Sequence, residues 1–191
     1  MAYGVEADPL CYPDTTVLRN KLDIRNQAEL DEFELALFLV RSDEPVPFGN
    51  FDFAHYRAVH RHLFQDVYEW AGEIRTIRIG KDGNWFCYPE HIEREMDRIF
   101  ATFSIDSLTT EISADDFSRI VAHVIAEINA VHPFREGNGR TQLTFLAMLA
   151  ERCGYTFDTQ AFERDRVIDA MVRSFAGDEG PLQALILDLV T

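Results

Sequence analysis

Two strongly apolar helical patterns in direct succession most constrain how this chain folds. The first opens at Ser113-x-x-Asp116 and carries Phe117, Ile120, Val121, Val124, Ile125 and Ile128 at three- and four-residue steps, the spacing of a deeply packed helix. It stops at His132-Pro133, because the residue before a proline avoids the helical region. The second runs from about Arg140 to Arg152 and is apolar on most sides, with Leu143, Phe145, Leu146, Met148 and Leu149. Gly154 ends it. The segment 132–140 therefore joins two buried helices.

The rest of the chain is read around that pair. Residues 1–27, with Pro9 and Pro13, predict an irregular arm. Glu29–Arg41 places Leu30, Phe33, Leu37 and Phe38 at helical spacing, and Pro45, Pro47 and Gly49 break the chain after it. Phe53–Phe64 predicts a helix with Asp52 as N-cap. A change of period follows. Ile74–Ile79 reads as a strand with Ile77 and Ile79 on one face, Lys81-Asp82-Gly83-Asn84 as a turn, and Trp85–Tyr88 as a second strand. A lone hairpin is marginal and must lean on helices, and its open edge can pair with an extended peptide. Glu90–Phe103, Phe162–Phe175 and Leu182–Val190 predict further helices, the last with Pro181 at its start. The class is all-α with one hairpin, and 191 residues suit a single domain over 1–191.

Composition narrows the partners. With 33 acidic against 18 basic residues the net charge is -15, which repels phosphate backbones and argues against direct nucleic-acid binding. Cys11, Cys87 and Cys153 form no Cys-x-x-Cys pair and fit a reducing cytoplasm. Met1–Leu10 lacks the pattern of a secretory signal, and the apolar runs near Leu35–Val40 and Ala184–Leu187 are too short to span a bilayer. His60 and His62 stand two apart and make a poor metal pair, while His55, His91 and His123 stand alone as surface or packing residues. A Walker-type loop is absent from the sequence.

The chemistry concentrates in His132-Pro133-Phe134-Arg135-Glu136-Gly137-Asn138-Gly139-Arg140. Gly137 and Gly139 bracket Asn138 and allow backbone angles closed to other residues, so that successive amides can form an anion nest. That nest lies at a helix N-terminus, where unpaired N–H groups favour phosphate. Arg140 adds a positive fork in the first turn, against the helix dipole. Glu136 is suited to Mg²⁺, which takes one or two carboxylates plus phosphate oxygens. A neutral imidazole at His132 can accept a proton from a hydroxyl. Phe134 is expected to point inward as an anchor.

These nine residues resemble the signature of Fic-domain adenylyltransferases, His-x-Phe-x-[Asp/Glu]-Gly-Asn-Gly-Arg. Val17–Leu22 is similar to the N-terminal segment of small bacterial Fic toxins, and Leu63–Gly72 resembles the run leading into the family's hairpin flap. The resemblance implies a helical Fic fold with a flap, about residues 75–88, over the loop 132–140. It implies ATP as substrate and Mg²⁺ as cofactor. His132 would be the catalytic base. Arg135, Glu136, Gly137, Asn138, Gly139 and Arg140 would hold the nucleotide, with Glu136 on the metal. Ile77, Ile79, Lys81 and Phe86 would dock a target protein carrying a Tyr, Ser or Thr. Many members carry a second Arg three residues after the first, where this chain has Leu143, which leaves another nucleotide or phosphodiester donor open. Gly139 stands where the kinase branch has Lys. The family's inhibitory run [Ser/Thr]-x-x-x-Glu-[Gly/Asn] has only near misses at Ser107–Ile112 and Thr159–Arg164. That pattern resembles bacterial cytoplasmic toxins held by a separate antitoxin that supplies the inhibitory Glu, with a type II topoisomerase subunit as target. A catalytically silent interaction module is the remaining alternative.

Overall fold

The computed structural model describes residues 8–81, 83–103, 105–158 and 163–190. Helices form at Gln27–Ser42 (α1), Phe53–Phe64 (α2), Ile92–Thr102 (α3), Ala114–Val131 (α4), Asn138–Arg152 (α5), Arg164–Phe175 (α6) and Gly180–Leu189 (α7). One antiparallel hairpin, Gly80–Lys81 (β1) with Asn84–Trp85 (β2), interrupts them and pairs Gly80 with Trp85 and Lys81 with Asn84. The class is all-α with one hairpin, as the periodicity predicts.

α4 is the central rod and packs against α3, α5, α6 and α7. Its Ser113 hydroxyl accepts the Asp116 amide at 3.2 Å and starts the helix. Phe117, Val121, Ile125 and Ile128 are wholly buried, each contributing about 1.5–3 kcal/mol of apolar burial. α5 begins two residues earlier than the periodicity suggests, so Asn138 is its first residue. α2 starts on Asp52, whose carboxylate accepts the His55 amide at 2.8 Å. Pro89–His91 forms a short 3₁₀ turn ahead of α3, and Pro181 lies in the first turn of α7. The expected start of α6 at Phe162 lies outside the described residues, as does Thr159.

Three regions differ from expectation. Along α1, Leu30 is buried but Phe33 is 47% exposed, while Glu34 takes a buried place at 8%. The described part of the arm is irregular in backbone yet belongs to the core, with Cys11, Val17, Leu18 and Ile24 buried. The hairpin is much shorter than Ile74–Tyr88. Beyond the paired residues, among the described residues only the Phe86 amide continues the ladder, to the Ile79 carbonyl at 3.1 Å. The buried Arg75 guanidinium takes the Ile77 and Cys87 carbonyls at 2.7 and 2.6 Å, so those groups are drawn out of any ladder. Asp82, in the expected turn, lies outside the described residues.

Candidate active site

α4 ends because His132 turns left-handed, at φ 54° and ψ 65°, while its amide still bonds the Ile128 carbonyl at 2.9 Å. The turn points the imidazole into a cavity of 330 Å³ between the hairpin, α5 and α6. His132 Nδ1 lies 3.2 Å from the Asn129 carbonyl. A carbonyl accepts only, so Nδ1 carries the proton and Nε2 the lone pair. Phe86 of the hairpin stacks on the ring at 3.8 Å and 10°. Arg75 donates to the His132 carbonyl at 2.8 Å and to that of Val131 at 3.1 Å. Burial, then the charges of Arg75 and Lys81, lower the pKa of His132 to about 3, so the imidazole is neutral across the physiological range.

The loop after His132 is closed by its own side chains. Asn138 Oδ1 accepts the Phe134 amide at 2.9 Å, and Nδ2 donates to the Phe134 carbonyl at 2.8 Å. Phe134 is fully buried and stacks on His60 at 3.8 Å. His60 accepts the Gly72 amide on Nδ1 at 2.8 Å and donates from Nε2 to the Glu136 carbonyl at 3.0 Å. Burial lowers its pKa to about 3. Gly137 sits at φ 78° with the Phe64 ring 2.5 Å from where a Cβ would stand, so both backbone and space demand glycine.

At the head of α5 no described side chain caps the helix, Gly137 and Gly139 line the cavity, and the Gly137 amide bonds Glu136 Oε1 at 3.0 Å. Gly139 is helical and a Cβ there would meet nothing within 4 Å, so its role is openness rather than backbone freedom. Glu136 keeps 32% of its side chain exposed and lines the cavity. The surrounding protein, and next the Glu34 carboxylate, raise its pKa. Arg140 donates to Glu34, lies 3.9 Å from Glu136, and rests over the Phe64 and Phe38 rings at 4.7 and 5.3 Å. Glu34 also accepts the Tyr68 hydroxyl.

The cavity thus gathers His132, Glu136, Gly137, Gly139 and Arg140 with Lys81 and Phe86. Several anticipated contacts stand elsewhere. Arg135 is buried and bonds Asp8 at 2.6 Å. The Asn138 side chain is spent on Phe134. Ile79 is wholly buried, and Ile77 lines a groove away from the cavity. Leu143 forms part of the cavity wall, continued by Val167, Met171 and Phe175 of α6. Sequence reasoning missed Glu34, His60, Tyr68 and Arg75 as the groups that hold the site. One signal was present, a glutamate at the centre of the stripe Leu30, Glu34, Leu37, Phe38. The other three carry no local signal.

A helical bundle with a glycine-rich helix head, a buried neutral histidine and a covering hairpin defines a class of site that can hold an anion beside a proton acceptor. The chain belongs to the Fic/DOC family, whose model matches residues 50–150. It is 56% identical over 189 residues to a probable protein adenylyltransferase, y4lH, of Sinorhizobium fredii, covering 98% of both chains. It is 37% identical to the protein adenylyltransferase VbhT of Bartonella schoenbuchensis, covering 96% of this chain and 39% of VbhT. Among solved structures it resembles the BepC effector of Bartonella tribocorum with bound AMPPNP, at TM-score 0.84 and 25% identity over 95% of this chain and 96% of that one. An N-terminal Fic domain from Bartonella quintana with bound ADP matches at TM-score 0.84 and 26% identity, over 95% and 94%.

Proposed function

We propose that this chain transfers AMP from ATP to a Tyr, Ser or Thr hydroxyl of another protein. Its relatives named protein adenylyltransferases support the activity, and the nucleotides bound in its structural neighbours support ATP as substrate. The observation that carries the mechanism is His132 Nε2, held as an acceptor in the cavity by the Nδ1 contact to Asn129. His132 Nε2 takes the proton as the hydroxyl oxygen attacks the α-phosphorus. The bond to the β-phosphate oxygen breaks and pyrophosphate leaves. The amides at the head of α5 and the Arg140 guanidinium hold phosphate oxygens and stabilise the charge that develops there. A base set this way contributes roughly 10²–10⁴-fold.

Mg²⁺ fits the residues present. Glu136 is an accessible carboxylate whose surroundings and neighbour Glu34 disfavour its charge, which a cation on phosphate oxygens would relieve. Bound there, the metal would neutralise phosphate charge. Arg135, Asn138 and Phe134 act indirectly, by fixing the loop that carries Glu136 and Gly137. Lys81 and Phe86 meet the target where the hairpin covers the cavity, the target adding as an extended strand. Leu143 removes one cation from the phosphate end, so the grip on the terminal phosphate is weaker, and this position favours testing other nucleotide donors. We further read the chain as one Fic domain over 1–191 acting in the bacterial cytoplasm. There it would be a toxin restrained by a separate antitoxin, with a type II topoisomerase subunit as target. The missing inhibitory run supports the antitoxin. No helix among the described residues is long and apolar enough to cross a membrane.

The test is transfer of label to bacterial lysate proteins from ATP labelled at the α- or the γ-phosphate, with His132→Ala beside the parent. Label from the α-position alone, lost in the variant, supports the reading. Label from the γ-position would make the chain a kinase.

A further inference from the structure

The hairpin has two faces, and the mechanism uses one. Lys81, Asn84 and Phe86 look into the cavity. In the observed register Gly80 and Trp85 lie on the opposite face, and Arg78 shares it. There the Arg78 guanidinium stands 3.9 Å from the Tyr88 ring centre and 4.9 Å from that of Trp85. Both rings are about half exposed, at 47% and 49%. The three residues line a groove of about 520 Å³. Gly80 leaves space for the indole, since a Cβ there would stand 3.1 Å from the Trp85 ring.

Among the described residues Arg78 has no ion pair, and its Nε is shut off from solvent without a hydrogen-bond partner. Among the described residues no other arginine has a nitrogen both shut off from solvent and without a hydrogen-bond partner. Carboxylates outnumber cations 33 to 18, and nine other arginines pair with them among the described residues. Even Glu90, which lines the same groove, makes no ion pair with Arg78. An unpaired guanidinium between aromatic rings presents its fork to a planar anion.

We propose that this groove seats a carboxylate side chain of the target segment, directly beside the residue to be modified. The inference rests on the reading that the target adds to the hairpin as a strand. Successive residues of a strand point to opposite faces. A hydroxyl residue facing His132 therefore turns its immediate neighbours toward Arg78, Trp85 and Tyr88. The groove thus selects Asp or Glu at the position before or after the modified residue. This selectivity runs against the overall charge of -15, which at long range favours a basic segment.

The experiment uses the whole chain and two dye-labelled extended peptides with a central Tyr, one flanked by Glu and one by Lys. Binding is followed by fluorescence anisotropy at 0.15 M salt, roughly one Debye length of 8 Å. The Glu-flanked peptide is expected to bind roughly tenfold tighter than the Lys-flanked one, the weight of one charge-assisted contact. Arg78→Met keeps the stem between the rings and removes that margin. Arg78→Glu inverts the preference, so a gain for the Lys-flanked peptide shows that the variant is folded. ATP affinity is unchanged in both variants. Equal binding of the two peptides, no measurable binding of the Glu-flanked one, or an unchanged preference in Arg78→Met would overturn the groove. Acid preference without any AMP transfer would instead overturn the enzymatic reading and leave the groove standing.

Discussion

The cavity has two walls built on opposite principles. On one side, the loop from His132 to Arg140 is fixed from within. Asn138 closes on both polar groups of Phe134, His60 joins Glu136 to Gly72, and Phe134 is wholly buried. On the other side, the hairpin has two paired residues per strand, with Gly83 and Asn84 exposed, and Arg75 ties it down only at its base. Closed polar networks specify one geometry, whereas a short two-stranded ribbon is marginal without a third strand. On the proposed function, the nucleotide wall is therefore finished in the isolated chain, and the target wall is left for the partner to complete.

The largest effect expected from breaking this contrast is chemical. His132→Ala should abolish measurable transfer, a loss of roughly 10²–10⁴-fold or more, while calorimetric titration shows ATP affinity unaltered because the cradle stays. Weakened ATP binding in that variant would mean that the loop and the base are not separable. Next comes the closure of the loop. Asn138→Leu strands the Phe134 amide and carbonyl, each at about 1–3 kcal/mol, and should lower the urea midpoint accordingly. Trp85→Ala on the half-exposed hairpin should change the unfolding free energy by no more than about 0.5 kcal/mol.

Acid should expose the same asymmetry. His60 and His132 have folded pKa values of about 3, below the 6.5 of a free imidazole. Below pH 6.5 the unfolded chain takes up protons that the folded one refuses. Their contribution is thus complete above 6.5 and is lost as pH falls toward 3, by up to about 1.4 kcal/mol per pH unit for each. Urea titrations of the parent and of His60→Gln isolate one histidine by difference, and the variant should show the shallower slope. Equal slopes would contradict a buried neutral His60. The smallest effect belongs to the hairpin's cavity face. Lys81→Met should raise KM for the protein target a few-fold, as for a partly exposed charge contact, with KM for ATP unchanged.

Much of this was legible in the residues, and the reasons are local. α4 and α5 could be read because apolar spacing and a proline boundary are sequence-near signals. The nine-residue signature marked the loop 132–140, and with it the family, for the same reason. Its division of labour was not legible. Arg135 and Asn138 look like ligand-binding groups, yet one meets Asp8, 127 residues away, and the other folds back four residues. Phe33 and Glu34 exchange their expected places because Arg140 and Tyr68 reach Glu34 from distant parts of the chain. The strand over 74–79 failed because Arg75 claims the Ile77 carbonyl and, across from it, that of Cys87, contacts that no period of two reveals.

Amide hydrogen exchange of the nucleotide-free chain, read residue by residue, tests the two-wall account most directly. The Phe134 amide, held by Asn138, and the Thr141 amide, bonded to Gly137 at 3.0 Å, are predicted to exchange only through global unfolding. The Lys81 and Trp85 amides should exchange orders of magnitude faster and slow when a target-like peptide binds, not when ATP binds alone. Loop amides that exchange as fast as those of the hairpin, or a hairpin protected by ATP alone, would contradict a finished nucleotide wall facing an unfinished target wall.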